Sequence, residues 1–168
     1  MSKYKIWNGP APTTAAQAAV ATGTSVKTML QLKAGAGKGL IIVGWGYSLD
    51  TEMAAAGEIE LLKTDVAATV TASLTADIVA LATPSAASTA SLGVAATGYT
   101  ASAEGSITDT DVFDAVKLPI STTAQSGLLY NRIFTKEERP YLPAGKILRV
   151  RATLGTSAGM LAWIAWTE

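Results

Sequence analysis

Apolar and polar residues alternate along several short stretches of this chain, and a period of two is typical of half-buried β-strands. The stretch ILRVRATL, residues 147–154, sets Leu148 and Val150 on one face against Arg149 and Arg151 on the other. The stretches GLLYNRIF and VKTMLQLKA alternate similarly, although the methionine of the second falls on its polar face. Together with the apolar runs in GLIIVGWGYSLD, GEIELLKTDV, DVFDAVKLPI and AGMLAWIAW, the pattern predicts a chain of strands with only marginal helix.

The motif Ala-Gly-Lys occurs twice, and each copy leads into an apolar strand. AGKGLIIV covers residues 36–43, and AGKILRV covers residues 144–150. A glycine at such a corner, Gly37 or Gly145, allows a positive φ, and the following lysine lies at the solvated entrance of the strand. Strands at this spacing predict an all-β fold, an antiparallel β-sandwich, and about eight of them favour a jelly roll.

The glycine-rich stretch around the first corner, KAGAGKGLIIVGWG, does not match a nucleotide-binding loop. A P-loop requires a serine or threonine where this chain has Gly39, and the dinucleotide fingerprint requires a glycine where Leu40 stands. That fingerprint also opens a helix, whereas the apolar run here predicts a strand. We therefore expect a turn between two strands at this point.

The first 25 residues predict an extended N-terminal arm outside the sandwich. After Tyr4, Ile6 and Trp7 comes NGPAPTTAAQAAVATGTS, whose two prolines, two glycines and many small residues disfavour long regular structure. Two interpretations remain open: a disordered tail, and a strap that lays Tyr4, Ile6 and Trp7 on a neighbouring subunit. Residues 26–168 are expected to form a single β-sandwich domain, which is long enough for a real core.

Residues 72–110 form a stretch of low sequence complexity. Alanine favours helix there, but threonine, serine, glycine and Pro84 oppose a long one. We expect one short element near residues 77–81, followed by irregular loop or edge strands.

Composition excludes several classes of function. The 13 basic and 13 acidic residues create no strong field that would attract nucleic acid or a membrane surface. The lack of cysteine and histidine excludes disulfides, zinc sites built on those residues, and nucleophile systems that need an imidazole. No long apolar run or secretory signal is present, so we expect a soluble protein made in a cytoplasm. Charged residues make up only 15% of the chain, which is typical of proteins that bury surface against partners.

Two groups of carboxylates could carry chemistry, and each has a simpler interpretation. Asp109, Asp111 and Asp114 alternate as Ca²⁺ ligands do, but the glycine and glutamate of an EF-hand loop are missing, which favours a solvated loop. Glu137 and Glu138, in the charged run TKEERP, point to opposite sides of an extended chain. That geometry favours an ionic contact with a partner over acid–base catalysis.

Aromatic residues on the predicted strands could form a sugar-stacking platform, as in β-sandwich carbohydrate-binding modules. Packing in a core or at a subunit interface is the commoner role of strand aromatics. We assign no catalytic, cofactor-binding or metal-binding residue. The aromatic residues in question are Trp45, Tyr47, Tyr130, Trp163 and Trp166.

The C-terminal segment LLYNRIFTKEERPYLPAGKILRVRATLGTSAGMLAWIAWTE resembles a family of tailed-bacteriophage virion structural proteins. The shared features are a Tyr and Phe strand, a loop reaching a Pro-x-Gly corner, a Leu-x-Val-x-Ala strand and a closing strand that ends near Trp-Glu. Upstream, GEIELLKTD is similar to the family's Glu-Leu-x-Lys/Arg-Thr strand, and ATPSAASTAS to its Pro-Ala-Ala-rich connection. This chain departs from the pattern at Thr167, which separates the closing Trp and Glu, and its first 25 residues have no counterpart. The matching residues are Tyr130, Phe134, Pro143, Gly145, Leu148, Val150, Ala152, Trp166 and Glu168.

The resemblance covers most of residues 38–168 and implies a jelly-roll protein of the phage particle. Within that class we expect a non-enzymatic capsid decoration (cement) protein, usually a homotrimer, bound to the major capsid protein on the outer capsid surface. Alternatives are another virion component, such as a head fibre base or a tail or adhesion protein, and a carbohydrate-binding β-sandwich module. We expect no cofactor, nucleic-acid or membrane partner. The predicted partner-interface residues are Tyr4, Ile6, Trp7, Glu137, Glu138 and Arg139.

Overall fold

The computed structural model describes residues 1–82, 86–120 and 128–168. Over these ranges the chain forms two antiparallel sheets packed against each other, and the predicted all-β sandwich is confirmed. Thirteen strands are described where about eight were expected, because several are only two to five residues long, and the jelly roll stays a prediction. The strands are β1 (Lys3–Trp7), β2 (Val20–Ala21), β3 (Lys27–Lys33), β4 (Leu40–Leu49), β5 (Gly57–Thr64), β6 (Thr69–Ala72), β7 (Ile78–Ala80), β8 (Gly98–Ala103), β9 (Thr110–Leu118), β10 (Leu129–Ile133), β11 (Tyr141–Leu142), β12 (Ile147–Leu154) and β13 (Gly159–Thr167).

The chain crosses several times from one sheet to the other. Sheet I has the order β10-β4-β13-β1-β7, with β11 paired to β4 and β2 paired to β13. Sheet II has the order β6-β8-β3-β12-β5-β9. The last two strands, β12 and β13, lie in the middle of sheets II and I respectively, so the C-terminal segment contributes a central strand to each sheet.

The alternation predicted for β12 is confirmed, and the irregularity in β3 has a structural cause. Leu30 pairs with Val150 while Thr28 pairs with Arg151, so Met29 is an extra residue that forms a β-bulge. A bulge shifts the alternation by one position. Met29 and Leu30 therefore both reach the core, where each is 0% exposed.

The predicted N-terminal arm is wrong, because its first strand belongs to sheet I. β1 lies between β13 and β7 and pairs antiparallel with both. Tyr4 and Ile6 are buried in the core, and the Tyr4 ring stacks on Trp166 with ring centroids 5.8 Å apart. β2 adds a further pairing to β13, and residues 8–19 run between β1 and β2 without regular secondary structure. The sandwich therefore includes strands from the first 25 residues.

The two Ala-Gly-Lys corners lie close together at one end of the sandwich. The backbone N–H of Ala34 donates to the carbonyl of Lys146 at 3.0 Å, and that of Gly145 donates to the carbonyl of Ala34 at 3.2 Å. Gly145 has a φ of +73°, which confirms the predicted positive φ at the second corner. Gly37 is not among the glycines with positive φ, so the same prediction is wrong at the first corner.

The low-complexity stretch contains short elements, as predicted. A single 3₁₀ turn, Thr75–Asp77, leads into β7 in the place where a short element was expected. β8 follows and pairs with β3 and β6. The prediction that Pro84 interrupts this stretch lies outside the described residues.

Loops cover the part of the outer face of sheet II that lies over β3 and β12. Arg149 and Gln31 are cross-strand neighbours on these strands, and both are 0% exposed. Gln31 accepts a hydrogen bond from the N–H of Ala68 at 2.8 Å and donates one to the carbonyl of Ala96 at 2.5 Å. Arg149 forms an ion pair with Glu104 at 3.0 Å. These contacts attach the loops flanking β6 and β8 to the sheet.

Candidate functional site

The outer face of sheet I carries exposed apolar and aromatic side chains. Alternation along β1 turns Lys5 and Trp7 outward, since their neighbours on the strand are in the core. Farther across the sheet, Val79, Leu129 and Ile133 are 45%, 70% and 64% exposed. Exposed apolar patches rimmed by polar groups mark interaction sites. We call this surface the tryptophan face, and it comprises Lys5, Trp7, Val79, Leu129, Asn131, Ile133, Leu161 and Trp163.

Trp163 lies across the backbone of Gly46 at the centre of this face. The strand register places Asn131, Gly46, Trp163 and Trp7 in one cross-strand row. A Cβ on Gly46 would come within 2.5 Å of Asn131 Oδ1 and 2.8 Å of the Trp163 indole nitrogen. Because glycine leaves that space free, the indole N–H of Trp163 donates to Asn131 Oδ1 at 3.2 Å. This hydrogen bond fixes the Trp163 ring on the sheet.

The ammonium group of Lys5 lies between two indole rings. Its Nζ atom is 4.2 Å from the ring centroid of Trp7 and 4.2 Å from that of Trp163. Such cation–π contacts contribute about 0.5–1 kcal/mol each at exposed sites. Burial lowers the pKa of the Lys5 ammonium from its usual value. Among the ion pairs of the described residues, none involves Lys5.

Two pockets adjoin on the tryptophan face and share Trp7 and Leu161. The first has a volume of about 280 Å³, lies between Trp7 and residues 8–19, and is mostly apolar, with Pro12 and Val79 in its wall. The second has a volume of about 250 Å³ and extends over Lys5 toward β10. We call the two pockets together the depression across sheet I.

Polar side chains hold residues 8–19 in place as a wall of the first pocket. Asn8 is 0% exposed and bonds to β13 twice: its Nδ2 donates to the carbonyl of Met160 at 2.9 Å, and its Oδ1 accepts from the N–H of Ala162 at 2.7 Å. The buried carboxylate of Asp77 accepts from the N–H of Ala11 at 2.7 Å. This wall is therefore part of the folded domain.

The structure separates the residues predicted to contact a partner. The interface assignment of Tyr4 and Ile6 is wrong, because the alternation of β1 points both side chains into the chain's own core, where they are 2% and 0% exposed. Trp7 lies on the tryptophan face. Glu137 and Glu138 are exposed in the turn after β10, where Glu138 accepts from the Thr135 hydroxyl at 3.2 Å.

Arg139 follows in the same turn and is half-buried, with a buried Nε atom that has no hydrogen-bond partner. The turn precedes β11, which pairs with β4 at the edge of sheet I. Several strands separate this turn from Trp7. The predicted interface residues therefore do not form one patch.

Most of the aromatic residues considered as a sugar platform are inside the protein. Trp45 and Trp166 are 0% exposed, and Tyr47 is 2% exposed. Tyr130 points inward, and its ring stacks on Tyr47 with centroids 5.6 Å apart. Only Trp163 of these five lies on an outer face, so the predicted aromatic residues do not form an exposed row.

A mostly buried carboxylate, Asp114, joins the two sheets at one edge of the sandwich. Its side chain is 8% exposed and accepts from the indole N–H of Trp45 at 2.9 Å and the hydroxyl of Tyr130 at 2.7 Å. Arg132 pairs with its other oxygen at 3.0 Å, and the charge of Asp114 raises the pKa of the Arg132 guanidinium. Burial and the hydrogen bond to Asp114 raise the pKa of Tyr130. These contacts link strands to one another and give Asp114 a structural role.

The carboxylates considered as a Ca²⁺ site do not converge. Asp111 pairs with Lys63 on β5, whereas Asp114 turns into the contact between the sheets. Asp109 lies in the loop before β9, where its N–H bonds to Asp65. Within the described ranges, no group of three His, Cys, Asp or Glu side chains could hold a metal ion.

Comparison with known protein families, with curated proteins and with solved structures found no match to this chain. In the part of the chain that the structure describes, no helix is long and apolar enough to cross a membrane. The tryptophan face is therefore the candidate functional site on the strength of its own geometry.

Sequence reasoning missed Lys5, Gln17 and Asn131 as members of this site. A signal was present for two of them, because Lys5 alternates with the apolar residues of β1 and Asn131 alternates with Tyr130 in β10. Recognising it required treating the first residues as a strand. Gln17 carried no signal, since it lies in irregular structure whose position depends on tertiary contacts.

Proposed function

We propose that this chain is a structural protein of a tailed-phage virion that binds the assembled capsid and stabilises it, as a decoration protein does. The observation that carries the proposal is the tryptophan face, an exposed apolar surface on sheet I with two pockets in it. A subunit of a larger assembly buries such a surface against its neighbour. The resemblance of the C-terminal segment to virion structural proteins supports the same role.

The charged clusters of the sandwich also favour a structural role. Asp114 is used by three donors from other strands, and Glu104 is used by Arg149 and Thr28. A catalytic carboxylate needs a free oxygen that can reach a substrate proton. Neither carboxylate has a free oxygen in a pocket, and the hydrogen bonds of both hold strands and loops together.

The proposed partner is the major capsid protein, and the proposed location is the outer surface of the capsid. The direct test is co-sedimentation of the purified protein with capsids that lack it, followed by heating of the decorated and bare capsids. We expect saturable binding and a higher disruption temperature for decorated capsids. A protein that remains in the supernatant at all concentrations would contradict the proposal. Binding to tails alone would select the alternative of a tail or adhesion protein.

A control variant distinguishes specific binding through the tryptophan face from non-specific sticking to capsids. Trp7→Ala together with Trp163→Ala removes the centre of the tryptophan face, and we expect capsid binding to be lost. Val112→Ala removes an apolar side chain that is 53% exposed on β9 of sheet II, away from this face. This change should leave binding intact.

A further inference from the structure

The depression across the tryptophan face is lined by two charged side chains, Lys5 and Asp77. The ammonium of Lys5 lines the second pocket, and no ion pair of the described residues includes it. The carboxylate of a partner would give this ammonium the counter-ion that it lacks among the described residues.

On the same surface, the Asp77 carboxylate and the Asn131 amide oxygen already accept hydrogen bonds from this chain. The carboxylate of Asp77 accepts from the backbone N–H groups of Ala11 and Leu74, each at 2.7 Å. Asn131 Oδ1 accepts from the indole of Trp163 at 3.2 Å. A partner that brings donors or cations would find no free carboxylate here, and it would be repelled by Lys5.

The apolar part of the depression accepts a side chain. The first pocket, of about 280 Å³, is walled by Trp7, Pro12, Val79 and Leu161 and can enclose one aliphatic or aromatic side chain. The Gln17 amide packs against Gly9 beside this pocket, since a Cβ on Gly9 would lie 2.8 Å from Gln17 Nε2.

We propose that the tryptophan face binds an extended segment of the capsid protein that places an apolar side chain in the first pocket and a carboxylate against Lys5. The two pockets meet at Trp7, and alternate residues of an extended chain point the same way about 7 Å apart. The apolar and acidic residues are therefore two positions apart. The inference rests on the proposed function only in assigning the segment to the capsid.

The depression sets the length of the segment. It runs from β10 across β4, β13 and β1 to β7, which is four interstrand spacings, or about 19 Å. An extended chain advances about 3.3 Å per residue, so about six residues cover this distance. A short strand or tail of the partner is sufficient.

The charged turn after β10 of a second copy would be a poor occupant. It contains Glu137 and Glu138, but Lys136 and Arg139 flank them directly. These cations would approach Lys5 together with the carboxylates, so the turn has no net charge to complement the face. The residues two positions from each glutamate are Thr135, Arg139, Lys136 and Pro140, and none supplies an aliphatic or aromatic side chain for the first pocket.

The test selects binders to the full chain from a displayed library of random twelve-residue peptides. We expect enrichment of an apolar residue two positions from Asp or Glu. A synthetic peptide of the selected sequence should bind the wild type, and its affinity should fall about tenfold or more for Lys5→Glu, which is about 1.4 kcal/mol or more. Replacing the peptide carboxylate by an amide should cost a similar factor.

Lys3→Glu is the matched control, because Lys3 also points outward from β1 but contacts neither indole ring. It makes the same change in net charge, and we expect the affinity to change less than twofold. An equal loss in both variants, or selected peptides without acidic residues, would overturn the proposal. So would self-association of the wild-type protein, measured by sedimentation equilibrium, that Lys5→Glu abolishes, since the face would then belong to a second copy.

Capsid binding separates this inference from the proposed function. If Lys5→Glu binds capsids as well as the wild type does, the inference fails and the proposed function stands. If the wild type binds no capsids, the proposed function fails, and with it the assignment of the segment to the capsid. Loss of capsid binding in Lys5→Glu but not in Lys3→Glu supports both.

Discussion

The ammonium nitrogen of Lys5 lies 4.2 Å from the ring centroid of Trp163, although the two residues are at opposite ends of the chain. The contact exists because β1 pairs with β13 and sets Lys5 diagonally beside Trp163 on the outer face of sheet I. The first and last strands of the domain thus form the candidate site together. Any change that detaches β1 removes the site and opens the core at Tyr4 and Ile6.

The close approach of Trp163 to the backbone of Gly46 predicts that Gly46→Ala destabilises the fold. The added Cβ would lie 2.5 Å from the carbonyl oxygen of Tyr130 and 2.8 Å from the Trp163 indole nitrogen. Overpacking of this kind costs about 1–3 kcal/mol. Urea unfolding followed by tryptophan fluorescence should show the loss, together with an altered environment of Trp163.

Gly37→Ala is the control for this change. No atom lies within 4 Å of a Cβ at Gly37, and its φ is not positive. The substitution should leave the free energy of unfolding unchanged or raise it by about 0.4–1 kcal/mol through the unfolded state. Equal destabilisation by both substitutions would contradict the role assigned to Gly46.

The two C-terminal tryptophans of β13 should respond differently to truncation. Trp166 is 0% exposed and stacks on Tyr4, so Trp166→Ala should cost about 3–5 kcal/mol of unfolding free energy. Trp163 is half-buried on the outer face, and Trp163→Ala should cost only about 1 kcal/mol. Thermal and urea unfolding measure both. A larger loss for Trp163→Ala would mean that the face is a second core and not a free surface.

The strands could be predicted from the sequence where the alternation of side chains was regular. They could not be predicted where the pairing of distant strands determines whether a segment is a strand. β12 and β10 alternate cleanly, and their outward and inward residues follow the pattern. β1 also alternates, with Tyr4 and Ile6 inward, but five residues followed by prolines and glycines resemble a loose arm as much as a strand. The pairing of β1 with β13, about 160 residues away, makes this segment a strand and not a loose arm, and no local pattern encodes that pairing.

The ion pair between the buried Arg149 and the partly exposed Glu104 predicts a large cost for removing the carboxylate. Burial lowers the pKa of the Arg149 guanidinium, and the charge of Glu104 opposes that effect. Glu104 also accepts from the N–H and hydroxyl of Thr28, at 2.5 and 2.6 Å. Glu104→Ala leaves these donors unpaired beside a buried cation and should cost about 3 kcal/mol.

Glu58→Ala is the matched control, because it removes the same side chain from an ion pair with the exposed Lys117. Exposed pairs contribute about 0–1 kcal/mol. Urea unfolding of the two variants should therefore differ by about 2 kcal/mol or more. Similar midpoints and slopes for both would show that the loop after β8 is not held by Arg149.

The limits of prediction were different at the candidate site. Glu137, Glu138 and Trp7 were predicted as partner contacts from the charged or aromatic character of short stretches of sequence, which is a local property. The depression depends instead on Gly46, Gln17 and the wall of residues 8–19, whose roles come from distances between distant parts of the chain. The alternation of apolar residues can place a side chain on a face, but it does not show which loops cover that face.

The buried tyrosine cluster predicts a loss of stability in alkali. Burial, together with the charges of Tyr130 and Asp114, raises the pKa of Tyr47 above its ordinary value. The folded state therefore keeps the Tyr47 proton at a pH where the unfolded chain releases it. The stabilisation is complete below the unfolded pKa of about 10 and declines as pH rises above it, by up to about 1.4 kcal/mol per pH unit. Urea unfolding between pH 8 and 11 should show this decline.

Tyr47→Phe should make the decline shallower, whereas Tyr141→Phe, the same change at a side chain that is 58% exposed, should leave it unaltered. An identical pH dependence in wild type and Tyr47→Phe would exclude Tyr47 as its source.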